Sequence, residues 1–233
     1  MVIFSTSTAN RRRYGNGTGG GKPDGCHRTR RHTNAVAYGI AAAGCKGEDE
    51  NETGREGYPG ARGCLMLIRT EIGVDAASID SLLKRCFATA AEAELVQQLR
   101  EDGLLTLGVV ATDDEGQVLG YAAFSPVTLQ GEDRGWVGLA PLAVDESVRG
   151  QGIGKQLVYE GLDALNEFGY SAVVVLGDPA YYNRFGFEPA ARYGLRCRWP
   201  GAEAAFQIYK LADGAFNDVE GDVEYAAPFN RFD

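Results

Sequence analysis

The sequence predicts an α/β (α+β) fold: a mixed, mostly antiparallel twisted sheet with a central parallel βαβ unit and flanking helices. Three observations predict it. An apolar run at 139–144 passes through a glycine-rich turn into a stretch whose apolar residues recur at helical spacing. The all-apolar run 172–176 follows, as a buried parallel strand should. Upstream, three strand-like runs separated by polar turns read as an antiparallel meander.

Residues 1–63 stand apart from this pattern. Positions 1–62 hold twelve of the 32 glycines, and ten of the 23 Lys/Arg against six of the 32 Asp/Glu. With few large apolar residues, such a segment does not bury enough surface to offset its ordering entropy, so it reads as a disordered, low-complexity extension. Arg30-Arg31 before the Ala/Gly-rich run 35–44 is a loose echo of an export signal, but the run lacks leucines, which favours a cytoplasmic protein. Cys26, Cys45 and Cys64, with His27 and His32, form no C-x-x-C pair, and no metal site is expected from them.

The first strand is expected over 64–69. Asp75 or Ser78 can cap a helix carrying Ile79, Leu82, Leu83, Cys86 and Phe87 on one face. A second helix, 91–100, stops at Asp102-Gly103. Strands at 105–112 and 118–129 flank a polar turn, and a further turn at 131–135 leads into strand 136–144. Pro141 inside that strand cannot donate to a ladder and marks an edge or a bulge. The helix at 152–168 buries Ile153, Leu157, Gly161, Leu162, Leu165 and Phe168; with strands 139–144 and 172–176 it forms a right-handed βαβ unit. Asp178 caps a short helix from Pro179 that Gly186 ends, and a strand follows at 205–211. The domain spans 64–212, and the tail 213–233 is expected to pack on it.

The turn itself is Arg149-Gly150-Gln151-Gly152-Ile153-Gly154-Lys155. Glycines at alternate positions let the backbone take positive φ and approach a ligand closely. The first amides of the following helix lack partners and sit at the positive end of its dipole, which suits an anionic diphosphate, with Arg149 and Lys155 adding charge. Counting excludes a P-loop, which needs glycine at 149 and Ser or Thr at 156, where Arg149 and Gln156 stand. A dinucleotide fingerprint from Gly150 needs glycine at 155, where the chain has Lys155.

Arg149-x-x-Gly152-x-Gly154 directly after a strand resembles the loop of the GNAT superfamily of N-acetyltransferases. Tyr182-x-x-x-Gly186-Phe187 resembles that family's second motif. The segment from Leu176 to Phe187, with Gly194-Leu195-Arg196-Cys197, is similar to its YhbS-like branch. The resemblance covers roughly 66–211. It implies an acetyl-CoA-dependent N-acetyltransferase that moves the acetyl group to a primary amine by direct attack in a ternary complex. It implies that loop residues 149–155 hold the pyrophosphate and that the strand splays at Pro141. Main-chain groups at Leu142, Ala143 and Val144 then face the pantetheine arm, with Tyr182 beside the thioester sulfur as the acid for the thiolate. Both histidines lie before Met66, so the base falls to a carboxylate or water; Glu132, Asp133, Asp145, Glu146 and Asp178 are nearest in sequence. A domain that binds acetyl-CoA as a sensor without turnover is the other reading.

The net charge of −9 falls on the domain rather than the extension, which excludes a nucleic-acid partner and favours a small-molecule or peptide amine as acceptor. No apolar run reaches the ~18 residues of a membrane span. No metal is required, and a homodimer stays open on sequence alone.

Overall fold

The computed structural model describes residues 66–233; the extension and its cysteines and histidines lie outside them. β1 (Leu67–Thr70), β2 (Leu107–Thr112), β3 (Val118–Leu129) and β4 (Glu132–Val144) form the antiparallel meander. β4 lies parallel to β5 (Ala172–Leu176), and β5 is antiparallel to β8 (Phe206–Lys210). The sheet runs β1-β2-β3-β4-β5-β8-β6, where β6 is Glu188–Pro189.

Alternation along β3 sorts the helices onto two faces. Ala122 and Phe124 pack with α3 (Ile153–Glu167). Tyr121 and Ala123 pack with α1 (Ala76–Cys86) and α2 (Ala91–Glu101) on the opposite face. α3 sits close to the sheet because two glycines make room. A Cβ on Gly161 would lie 2.3 Å from Phe124 Cζ, and one on Gly120 3.0 Å from Ile153 and Leu157. Phe168, expected on the apolar stripe, is 63% exposed: α3 ends at Glu167 and Phe168 caps it, while Val158, not expected on the stripe, is buried.

Two further expectations change. The turn at 131–135 belongs to the hairpin itself. Gln130 (φ 51°) and Gly131 (φ 79°) make a two-residue turn, so that Leu129 faces Glu132. Val127 faces Trp136 and Thr128 faces Asp133, which leaves Arg134 and Gly135 as a bulge. Asp75 flanks α1 without capping it. Its carboxylate takes both guanidinium nitrogens of Arg69 (2.7 and 2.9 Å) and the Ile72 amide (2.8 Å), while Ser78 lies inside the helix.

The tail contributes a strand. β9 (Gly221–Tyr225) pairs antiparallel with β3 at Val127–Leu129, continuing the edge that β2 leaves after Phe124, and parallel with β7 (Leu195–Cys197). Phe229 and Phe232 of the last turn are buried beyond it.

Candidate functional site

β4 and β5 pair from Trp136↔Ala172 to Leu139↔Val175 and no further, although β4 runs on to Val144 beside β3. The cause is at Pro141. Leu139 faces Phe124 and Leu142 faces Ala122, so Ala140 and Pro141 together face Ala123. The proline has no N–H to give a neighbour, and the strand leaves β5 at this bulge. Beyond it, Asp145 donates its amide to Leu119 of β3 at 2.8 Å. Strand alternation then turns the main-chain groups of Ala143 toward β3 and those of Leu142 and Val144 toward the edge β5 has left. The Val144 carbonyl fits this: it accepts from Arg149 Nε at 3.0 Å and from Cys86 Sγ at 3.5 Å. The result is an open wedge between two strands with half-buried Leu142 and Val144 on one wall.

At the mouth of the wedge is the loop. Asp145 starts it, accepting from Ser147 (N 3.1 Å, Oγ 2.7 Å) and from Arg85 of α1 (2.9 Å). These contacts hold its carboxyl below the usual range, the Ser147 hydroxyl most of all. Gly150 and Gly152 both stand at φ 79°, the left-handed region, and Gly152 is the residue before α3. Gln156 makes the first bond back, to Gly152, so the amides of Ile153, Gly154 and Lys155 have no partner within the helix. Gly150, Gln151 and Gly152 are exposed. Arg149 braces the loop against Val144, and Lys155 lies over the Tyr159 ring at 5.7 Å, so both cations flank the bare amides. Bare amides at a helix start flanked by cations are the kind of arrangement that suits an anionic diphosphate.

On the other wall is α4 (Pro179–Tyr182), capped by Asp178, which accepts from the Ala180 amide at 2.9 Å. Tyr182 is 1% exposed and packs edge-on against Tyr181 and Phe187 and at a tilt against Phe185. Burial pushes its phenol far above the ordinary value, with Tyr181 and Tyr225 adding to the effect. A phenol in this state stays protonated and keeps a proton to donate. Tyr181, half-buried, reaches the loop instead: a Cβ on Gly154 would lie 2.6 Å from its hydroxyl. Sequence reasoning passed over Tyr181; the signal was Gly154, whose backbone is ordinary helix and needs no glycine for conformation.

The carboxylates nearest in sequence are occupied, remote or exposed to solvent. Glu132 and Asp133 lie at the opposite end of β4 from Val144, Asp145 is tied to Arg85 and Ser147, Asp178 caps α4, and Glu146 is exposed. Glu92, which sequence reasoning missed, is 4% exposed with Oε2 unpartnered. Its spacing to Leu95, Val96 and Leu99 on the buried face of α2 was the available signal. Among the described residues, no group of three or more His, Cys, Asp or Glu could hold a metal ion, and no helix is long and apolar enough to cross a membrane.

Residues 76–187 match the Acetyltransferase (GNAT) family. The uncharacterized N-acetyltransferase YhbS of Escherichia coli K12 is 70% identical over 167 residues, covering 72% of this chain and all of that protein. The chain belongs to the GNAT family. Two solved GNAT structures superpose on it. E. coli YhbS in complex with CoA has a TM-score of 0.71 at 65% identity, covering 77% of this chain and 98% of that one. A GNAT acetyltransferase of Brucella melitensis in complex with acetyl-CoA has a TM-score of 0.60 at 38% identity, covering 71% and 98%. The mixed sheet with its splayed parallel pair is thus the GNAT fold.

Proposed function

We propose that the chain is an acetyl-CoA-dependent N-acetyltransferase that moves the acetyl group from the thioester to a primary amine by direct attack in a ternary complex. The observation that carries this reading is the wedge between β4 and β5 ending in a loop of two left-handed glycines and bare helix amides. The CoA and acetyl-CoA complexes of its relatives support it.

In this reading the amides of Gln151, Gly152, Ile153 and Gly154 take the diphosphate, Gly150 provides the turn, and Arg149 and Lys155 supply flanking charge. Leu142 and Val144 offer main-chain groups to the pantetheine arm, and the Val144 N–H is the donor for the oxyanion; Ala143 holds the strand to Tyr121 of β3. Tyr182, protonated by virtue of its burial, gives its proton to the departing thiolate. The catalytic domain is 64–212 with the tail 213–233 packed on it. The free thiols of Cys86 and Cys197 accord with a reducing, cytoplasmic setting.

Calorimetry with acetyl-CoA, followed by titration of released thiol in the presence of primary amines, tests the proposal. Uptake with amine-dependent release is expected. No uptake at millimolar concentration overturns it, and tight binding without release for any amine points to a sensor.

A further inference from the structure

The domain is poor in cations and pairs most of them. Residues 66–233 hold thirteen Lys and Arg against twenty-six Asp and Glu. Ten of the thirteen stand within ion-pair distance of a carboxylate. Among the described residues, the three that do not are Arg149, Lys155 and Arg184. Where carboxylates outnumber cations two to one, bare cations gathered in one place favour an anion that the protein itself does not supply.

The three are gathered at the glycine loop. Arg149 and Lys155 belong to it, and Arg149 is tied through Nε to the Val144 carbonyl at 3.0 Å. Arg184 reaches the loop through a row of rings. Its guanidinium lies 4.7 Å from the centre of the Tyr181 ring, whose hydroxyl abuts Gly154. Tyr181 meets Phe185 at 5.3 Å, Phe185 meets Tyr159 at 5.3 Å, and Lys155 Nζ lies 5.7 Å from the centre of Tyr159. Phe185 is buried, whereas Tyr159 is 40% exposed and both Lys155 and Arg184 face solvent. Arg184 donates to no group among the described residues, so its five N–H groups are available to a ligand. The α1 flank of the loop differs, because there Asp145 neutralises Arg85 at 2.9 Å.

The covalent structure of coenzyme A decides what can lie on this row. Its diphosphate joins the pantetheine arm to a 3′-phosphoadenosine. With the arm in the wedge and the diphosphate on the amides that open α3, the adenosine leaves over the surface beside the loop. Its 3′-phosphate is a monoester carrying about −1.5 to −2 charges at pH 7. An exposed arginine without a carboxylate, one tyrosine ring from the loop, matches such a group in charge and in hydrogen-bond geometry.

We infer that Arg184 holds the 3′-phosphate of the donor, and that the protein thereby selects coenzyme A thioesters over their 3′-dephospho forms. Tyr159 gives the adenosine a ring to lie against, and Lys155, at the loop end of the row, serves the diphosphate. The assignment rests on the acetyltransferase reading, which supplies the ligand and its direction in the wedge.

Calorimetry on the full chain with CoA and with 3′-dephospho-CoA tests it. Wild type is expected to bind CoA about tenfold more tightly. Arg184→Gln is expected to weaken CoA about tenfold, to leave 3′-dephospho-CoA within about twofold, and to melt as wild type does. Lys155→Gln is expected to weaken both ligands alike and to keep the preference. Arg192→Gln removes the same charge from an exposed ion pair with Glu188 and controls for the general field. It is expected to move neither Kd by more than about twofold. Equal affinity of wild type for the two ligands overturns the role of Arg184. So does an Arg184→Gln protein that weakens both alike, or a Lys155→Gln protein that erases the preference. Wild type that binds neither ligand overturns the acetyltransferase reading instead.

Discussion

The hydroxyl of Tyr181 occupies the space a side chain at Gly154 would need, 2.6 Å from where a Cβ would sit. Tyr181 is itself held, with Phe185 edge-on at 5.3 Å and the Arg184 guanidinium 4.7 Å above its ring. Alanine at 154 gains about 1 kcal/mol of helix propensity but must displace that hydroxyl. Gly154→Ala is therefore expected to lower the Tm and to weaken acetyl-CoA binding about tenfold. In a Tyr181→Phe background the same change is expected to raise the Tm. Melting curves of the four proteins give the coupling, expected at about 1 kcal/mol or more.

Tyr182→Phe keeps the packing against Phe185 and Phe187 and removes one proton donor. Thiol release is expected to fall about 100-fold or more with acetyl-CoA affinity unchanged. Tyr181→Phe, whose hydroxyl borders the loop, is expected to cost less than about tenfold in kcat. Equal losses in the two variants count against Tyr182 as the acid.

Gly161→Ala places a methyl 2.3 Å from Phe124 Cζ, and Phe124 is fully buried. Neither the ring nor the helix backbone has room to yield, so the variant is expected to lose about 1–3 kcal/mol despite its better helix propensity. Urea denaturation measures this directly, and a variant as stable as wild type would show that α3 rides more loosely on the sheet.

Asp75 holds Arg69 and the Ile72 amide, and the Arg69 hydrogen bond keeps its carboxyl below the ordinary value. The folded protein thus holds this proton less tightly than the unfolded chain. Its contribution is in force above the unfolded value of about 3.9 and disappears as pH falls through the folded one. Asp75→Asn is expected to cost about 1–3 kcal/mol at pH 7, with the gap to wild type closing below about pH 4. Chemical denaturation at several pH values checks the sign.

The parts of the fold legible in the sequence are those where period and length agree. The stripe from Ile153 to Leu165 and the run 172–176 leave little choice but a helix beneath a buried strand. The loop was legible through Gly150 and Gly152, whose backbone angles demand glycine, whereas Gly154 owes its identity to a tyrosine 27 positions away. The turn into β4 was misplaced because Gly131 and Gly135 bracket acidic residues like a loop, while the turn uses Gln130 in a conformation its residue type does not advertise. β9 carries the alternation of a strand in five residues, but its partner is β3, almost a hundred residues earlier, and nothing local announces that pairing. Tyr182 was located by spacing to Gly186; its complete burial follows from the aromatic cluster that only folding assembles.

That late strand has a consequence for synthesis. β9 is made almost a hundred residues after β3, so the edge of β3 at Val127 stays uncovered, and Tyr225 cannot cross to Gly138, until synthesis has passed residue 225. A nonsense codon or frameshift ahead of position 221 would truncate one side of the sheet and spare the glycine loop. The product would be expected to keep the bare amides that open α3 and to lose the cover over that edge of β3.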